Sequence, residues 1–149
     1  MRSIFLFIAT FLAAANISVH AADSTSSPIG LWKTIDDKTG KPQGIVRVYE
    51  QEGRYFARIE SGASPSDADR KCTACKDERK DQSLIGLVLM RNVKFQNGEF
   101  TGGDILDQNT GDVYRCNFKI EDNGNTLLVR GYLGISVFGR TQKWLREQN

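Results

Sequence analysis

Histidine is almost missing from this chain. The one residue of that type is His20, and it falls in an N-terminal stretch that reads as a cleaved signal. What remains then has no imidazole. That excludes Ser-His-Asp and Cys-His catalysis, histidine general bases, and metal sites built on histidine. Proline and cysteine are scarce, at three residues each, too few for a proline-rich linker or a disulfide-dense scaffold. No apolar run reaches the roughly 20 residues needed to cross a bilayer as a helix. Neither charge sign dominates: 20 Lys and Arg face 18 Asp and Glu. Such a balance argues against a nucleic-acid or membrane-surface role, which usually shows as a basic run or patch.

What is present begins with Met1-Arg2-Ser3, the apolar run Ile4 to Ala15, and the small residues Val19 and Ala21 around His20. This is the pattern of a secretory signal peptide over residues 1–21, cleaved after Ala21. No cysteine stands at the cleavage point to make a lipoprotein. The 128 residues that follow suit one domain with one core. Residues 22–29 read as a mobile polar leader, and the fold is expected over 30–146. The expected destination is outside the cytoplasm, in the periplasm of a Gram-negative bacterium.

The chain is organised around its last third. Asp107 to Gly111 and Asp122 to Asn125 are turn signals, and Asn123-Gly124 suits a tight hairpin because both residues tolerate positive φ. Between the turns the pattern alternates. Tyr114, Cys116, Phe118 and Ile120 share one face of a strand, with Arg115, Asn117 and Lys119 on the other. The same reading extends backwards to eight strands, over 31–35, 44–50, 54–60, 84–92, 99–106, 112–120, 126–133 and 137–144. Short strands joined by Gly/Asn turns, without a convincing helix, predict an all-β fold. An eight-stranded up-and-down antiparallel barrel fits best, because closure removes sheet edges. Expected inward residues are Trp32, Val46, Val48, Tyr55, Ala57, Ile59, Leu87, Leu89, Tyr114, Phe118, Phe138 and Trp144. A polar insertion, Ser61 to Ser83, interrupts strands 3 and 4, and its Arg70 to Lys80 portion reads as a solvated loop of mixed charge.

Gly30-x-Trp32 on the first strand, with Arg140 on a late strand, resembles the lipocalin signature, in which an arginine packs across a tryptophan that closes one barrel end. Gly30, Trp32, Arg140 and Trp144 are therefore the expected closing residues. The order GLW, KCTAC, LIGL, GGDILDQNTGDVYRC, VRGYLG and GRTQKW, behind a signal peptide, resembles the secreted bacterial family called domain of unknown function 2147, over Gly30 to Arg146. The resemblance implies a lipocalin-like barrel outside the cytoplasm with no established activity. Gln108 departs from the proline usual in that turn.

Three constellations could carry chemistry. Cys72 and Cys75 lack partners for zinc, since only Cys116 remains. They also lack the βαβ setting of a thioredoxin-type site. A structural disulfide is the plainer use. Loop entropy is about 2 kcal/mol for Cys72–Cys75 and about 4 kcal/mol for a link to Cys116, but it cannot choose a native pairing. The expectation is the local pair, with Cys116 a buried free thiol.

Arg130 and Tyr132 share a strand face and could anchor a carboxylate inside the barrel. The opposite assignment sends Arg130 to solvent and leaves Val129 and Leu133 to the core. Asp104, Asp107 and Asp112 look like an acid cluster, but turn aspartates usually serve the backbone; Asp104 could bond Arg130 or Arg140. No catalytic residue, metal or cofactor is expected. The leading reading is a barrel that binds a small lipophilic or amphipathic ligand, with Arg130, Tyr132, Tyr55, Tyr114 and Phe118 as candidate contacts. The alternatives are a filled barrel acting through the Ser61–Ser83 loop on an envelope protein partner, and a CxxC thiol-disulfide protein.

Overall fold

In the computed structural model, which describes residues 27–148, the chain forms eight strands: β1 (Gly30–Ile35), β2 (Pro42–Gln51), β3 (Arg54–Gly62), β4 (Val88–Gln96), β5 (Glu99–Leu106), β6 (Val113–Glu121), β7 (Thr126–Tyr132) and β8 (Gly139–Glu147). Each pairs antiparallel with the next, and β8 returns to β1, closing the barrel. The expected signal peptide lies outside the described residues. Among those residues no helix is long and apolar enough to cross a membrane.

The tight turns follow from local chemistry. Glu52-Gly53 and Asn97-Gly98 both take positive φ at two consecutive residues (53° and 73°, 54° and 80°), which matches the right-handed twist of the strands they join. On β6 the alternation holds: Cys116 and Phe118 are buried while Val113, Arg115 and Lys119 are exposed. β4 differs from the sequence expectation. Leu84 to Leu87 is a turn, not strand: Gly86 has φ +88°, and Ile59 bonds to both Gly86 and Leu87 through its backbone. A continuous apolar run does not distinguish a strand from a buried turn. Leu84 and Leu87 are buried all the same, against the barrel wall. The true strand was masked by Asn92, whose φ of 62° marks a bulge that brings Met90 and Val93, three residues apart, both into the core.

The interior has two halves. The end bounded by the β2–β3, β4–β5 and β6–β7 turns is filled. Tyr55, Phe100 and Phe118 form an aromatic cluster there, with Phe100 and Phe118 stacked at 4.5 Å and Tyr55 edge-on to Phe100 at 5.1 Å. Trp32, Val48, Ala57, Val93 and Leu127, each 0 % exposed, belong to the same core. The opposite end is open.

Candidate functional site

The open half contains a cavity of about 580 Å³. Its floor and walls are Trp144, Val46, Ile59, Leu89, Ile105 and Val129, each placed inward by strand alternation. Leu84 and Ile85 add a side wall from the β3–β4 connection, and Tyr114 and Gln142 bring polar groups in from β6 and β8. The mouth is polar, with Asp36, Lys38, Gln43, Arg70, Asn109 and Arg140 around it. Its carboxylates are committed. Asp36 accepts from the backbone N–H groups of Lys38 and Thr39 and from Gln43 Nε2. Asp67 is paired with Arg70 at 3.0 Å, and Asp107 accepts from the Asn109 N–H at 2.9 Å. The Thr39 N–H holds the Asp36 carboxyl below its ordinary range, and Arg70 does the same for Asp67.

The closed end is held by Arg146, not by Arg140. The Arg146 guanidinium lies 4.2 Å from the centre of the Trp32 ring. It donates to the carbonyls of Gly124, Ile29 and Ser27 at 2.5, 3.2 and 2.7 Å. Trp32 Nε1 donates to the Pro28 carbonyl at 2.9 Å, so Ser27–Ile29, the end of the expected leader, is tied to the barrel. Burial pulls the Arg146 pKa down, a cost that the three carbonyls and the ring face offset. Gly30 makes the contact possible: at φ +140° its missing Cβ would sit 3.0 Å from Arg146 Nη1. Arg140 lies at the open end instead, in a bidentate pair with Asp37 that lowers the Asp37 pKa. The sequence did hold the signal for Arg146. In a closed antiparallel barrel the start of β1 must lie beside the end of β8, and Trp32 is in fact opposite Arg146.

The Ser61–Ser83 insertion packs on the barrel. Cys72 and Cys75 form a disulfide, are at most 2 % exposed, and leave Cys116 as a buried free thiol. Burial pushes the Cys116 pKa up to about 12. The stapled loop docks on the β5–β6 turn so closely that a Cβ on Gly111 would lie 1.8 Å from the Ala74 carbonyl oxygen. Lys76 reaches across to Asp112 at 2.5 Å. The solvated-loop expectation fails at Arg79, which is 4 % exposed. Its guanidinium holds Asp77 and donates to the Val88 carbonyl, which lowers the Asp77 pKa to about 2. Asp104 bonds Arg91 at 3.2 Å, neither Arg130 nor Arg140. Its side chain sits on the outer wall, so the three aspartates do not converge.

Of the candidate ligand contacts, Tyr114 lines the cavity and Tyr132 lies at its rim. Tyr55 and Phe118 belong to the filled half. Arg130 faces away: it donates to Thr141 Oγ1 at 2.8 Å and to the Val137 carbonyl at 3.0 Å, while Val129 takes the core side. Leu133 is 65 % exposed and Phe138 79 % exposed, so neither is a core residue; β8 begins at Gly139, later than the pattern indicated. Trp144 is the cavity floor and not part of the closure.

Two comparisons bear on this arrangement. The fold is similar to a solved structure described as "Protein HP1028 from the human pathogen Helicobacter pylori belongs to the lipocalin family", with a TM-score of 0.70 and 20 % identity, covering 81 % of this chain and 83 % of that one. At that identity the likeness concerns the fold. No curated protein matches the chain. The family described as "Uncharacterized protein conserved in bacteria (DUF2147)" matches residues 30–146, the whole barrel from the Gly30 contact to Arg146. The chain belongs to the DUF2147 family, and its barrel is lipocalin-like.

Proposed function

We propose that the protein binds a small lipophilic or amphipathic molecule in the open half of its barrel, in an oxidising compartment outside the cytoplasm. The observation that carries this reading is the cavity itself. At about 580 Å³ it has the size of small-ligand sites, which combine apolar walls with a few placed polar groups. Here the apolar part is the Trp144 floor and its neighbours, and the polar groups are Tyr114 and Gln142 inside with Gln43 and Lys38 at the mouth. Arg130 is not the anchor, because its guanidinium is bonded on the outer side.

Binding fits this site better than catalysis does. The carboxylates around the mouth serve turns and ion pairs, and no histidine follows His20. The disulfide supports export to an oxidising compartment. Its burial speaks against a thiol-disulfide exchange role, since exchange needs access to a sulfur. A solid barrel acting only through its long loop calls for a filled interior, and the open half is hollow.

The test is native mass spectrometry of the mature protein purified from its own envelope, beside the same sample denatured. A reproducible extra mass released by denaturation supports a carrier and identifies the ligand. A second arm follows tryptophan emission while fatty acids and other amphiphiles are added. Trp144 is the reporter, because Trp32 lies sealed at the far end. A bare native mass together with silent emission for every amphiphile would refute the reading.

A further inference from the structure

Inside its mouth the barrel cavity carries no charge. The polar side chains that β1, β6 and β8 turn into it there are Thr34, Tyr114 and Gln142. Thr34 is committed, since its hydroxyl donates to the Gly44 carbonyl at 3.3 Å. Gln142 is committed on one side only. Trp144 Nε1 lies 3.4 Å from Gln142 Oε1, and an indole N–H can only donate, so the amide oxygen must face the cavity floor. The two N–H groups of Gln142 Nε2 then have no protein acceptor among the described residues, and the Tyr114 hydroxyl has no partner among them either. Tyr114 is the second residue of β6 and stands nearer the mouth, whereas Gln142 adjoins the floor.

The charges at the mouth cancel. Asp36, Asp67 and Asp107 face Lys38, Arg70 and Arg140. Arg70 is paired with Asp67 and Arg140 with Asp37, and the Asp36 carboxylate is held by two backbone N–H groups and Gln43. Lys38 is exposed and follows Asp36 and Asp37 directly in the chain. A carboxylate or phosphate entering the cavity meets no spare cation inside, and an ammonium meets no spare carboxylate. Either would be desolvated without a counter-charge.

We propose that the ligand is an uncharged amphiphile, an alcohol, ester or amide, whose oxygen accepts a hydrogen bond from Gln142 Nε2 while its apolar part packs on Trp144, Leu89 and Val129. Tyr114 serves a second polar group nearer the mouth. This rests on the reading that the cavity holds a ligand, and adds the charge class of that ligand and the residue that recognises it. A pure hydrocarbon fits less well, because it would leave the Gln142 N–H groups dry and unbonded.

The experiment is isothermal titration calorimetry of the mature protein with four probes that share one tail: decanol, methyl decanoate, decanoate and decylamine. The two neutral probes are expected to bind at least about tenfold more tightly than either ion. Gln142→Leu and Gln142→Lys run beside the parent after their urea midpoints are checked. Gln142→Leu should weaken decanol about tenfold, and Gln142→Lys should shift the preference to decanoate, a gain that a merely structural role for Gln142 does not produce. Decanoate or decylamine binding as tightly as decanol to the parent overturns the proposal while the cavity remains a binding site. So does a Gln142→Leu variant that keeps the parent's affinity for decanol together with a Gln142→Lys variant that keeps the parent's order of probes. Should none of the four bind and the native mass be bare, the binding reading fails and this inference fails with it.

Discussion

Arg146→Ala should be the most damaging single truncation at the closed end of the barrel. The side chain supplies three charge-assisted hydrogen bonds to the Gly124, Ile29 and Ser27 carbonyls and covers the Trp32 ring. A hydrogen bond to a charged group contributes about 1.5–3 kcal/mol net, and a partly desolvated cation–π contact about 1–2 kcal/mol. These do not add fully, because Arg146 is half-buried and water can reach some of the vacated carbonyls. A loss of about 3 kcal/mol is expected, which for a domain of this size lowers Tm by roughly 10 °C. Arg140→Ala is the control. Its pair with Asp37 leaves the arginine side chain 43 % exposed, and exposed pairs are worth about 0–1 kcal/mol. Arg146→Lys should fall between, since an ammonium cannot serve three divergent carbonyls and a ring face together. Urea unfolding followed by tryptophan emission measures all three, with far-ultraviolet circular dichroism as a second probe. If Arg140→Ala costs as much as Arg146→Ala, or if Arg146→Ala costs under about 1 kcal/mol, the assignment of the closing arginine is wrong.

Other outcomes follow from single contacts. Asp77, held near pKa 2 by Arg79, contributes stability that is complete above the ordinary carboxylate range and disappears as pH falls through about 4 to 2; with its side chain 27 % exposed, about 1–2 kcal/mol is expected. Asp77→Asn should flatten that part of the pH–stability curve, with only a minor change in the acid limb counting against the linkage. Cys116 should resist thiol reagents in the native state and react only on unfolding, and Cys116→Ser should cost about 1–3 kcal/mol through a hydroxyl placed in the core. Reducing Cys72–Cys75 should lower stability by about 2 kcal/mol. Hydrogen exchange should then quicken over the β3–β4 connection and the β5–β6 turn that it packs on, while β6 and β7 stay protected.

Several features were legible in the chain because they are local. The turn pairs Asn97-Gly98 and Asn123-Gly124, the alternation along β6 and the short Cys72–Cys75 spacing each depend on neighbours in sequence. Tyr114, Cys116 and Phe118 could be placed on the inner face from period two alone. β4 could not, because the Asn92 bulge breaks that period and an apolar turn, Leu84 to Leu87, imitates a strand. Arg79 was hidden for a related reason. Its neighbours Asp77, Glu78, Lys80 and Asp81 look solvated, and only the docking of the stapled loop on β4 brings the Val88 carbonyl to it.

By itself the sequence determined an all-β barrel of eight strands in simple antiparallel order, since hairpin chemistry and alternation act over a few residues. The tertiary structure alone decided the register that seats Arg146 on the Trp32 ring, and which half is filled and which is hollow. Those outcomes depend on the register between β1 and β8 and on how aromatic volumes stack across the barrel. Such contacts join residues up to about 119 positions apart, and no pattern within one strand encodes them.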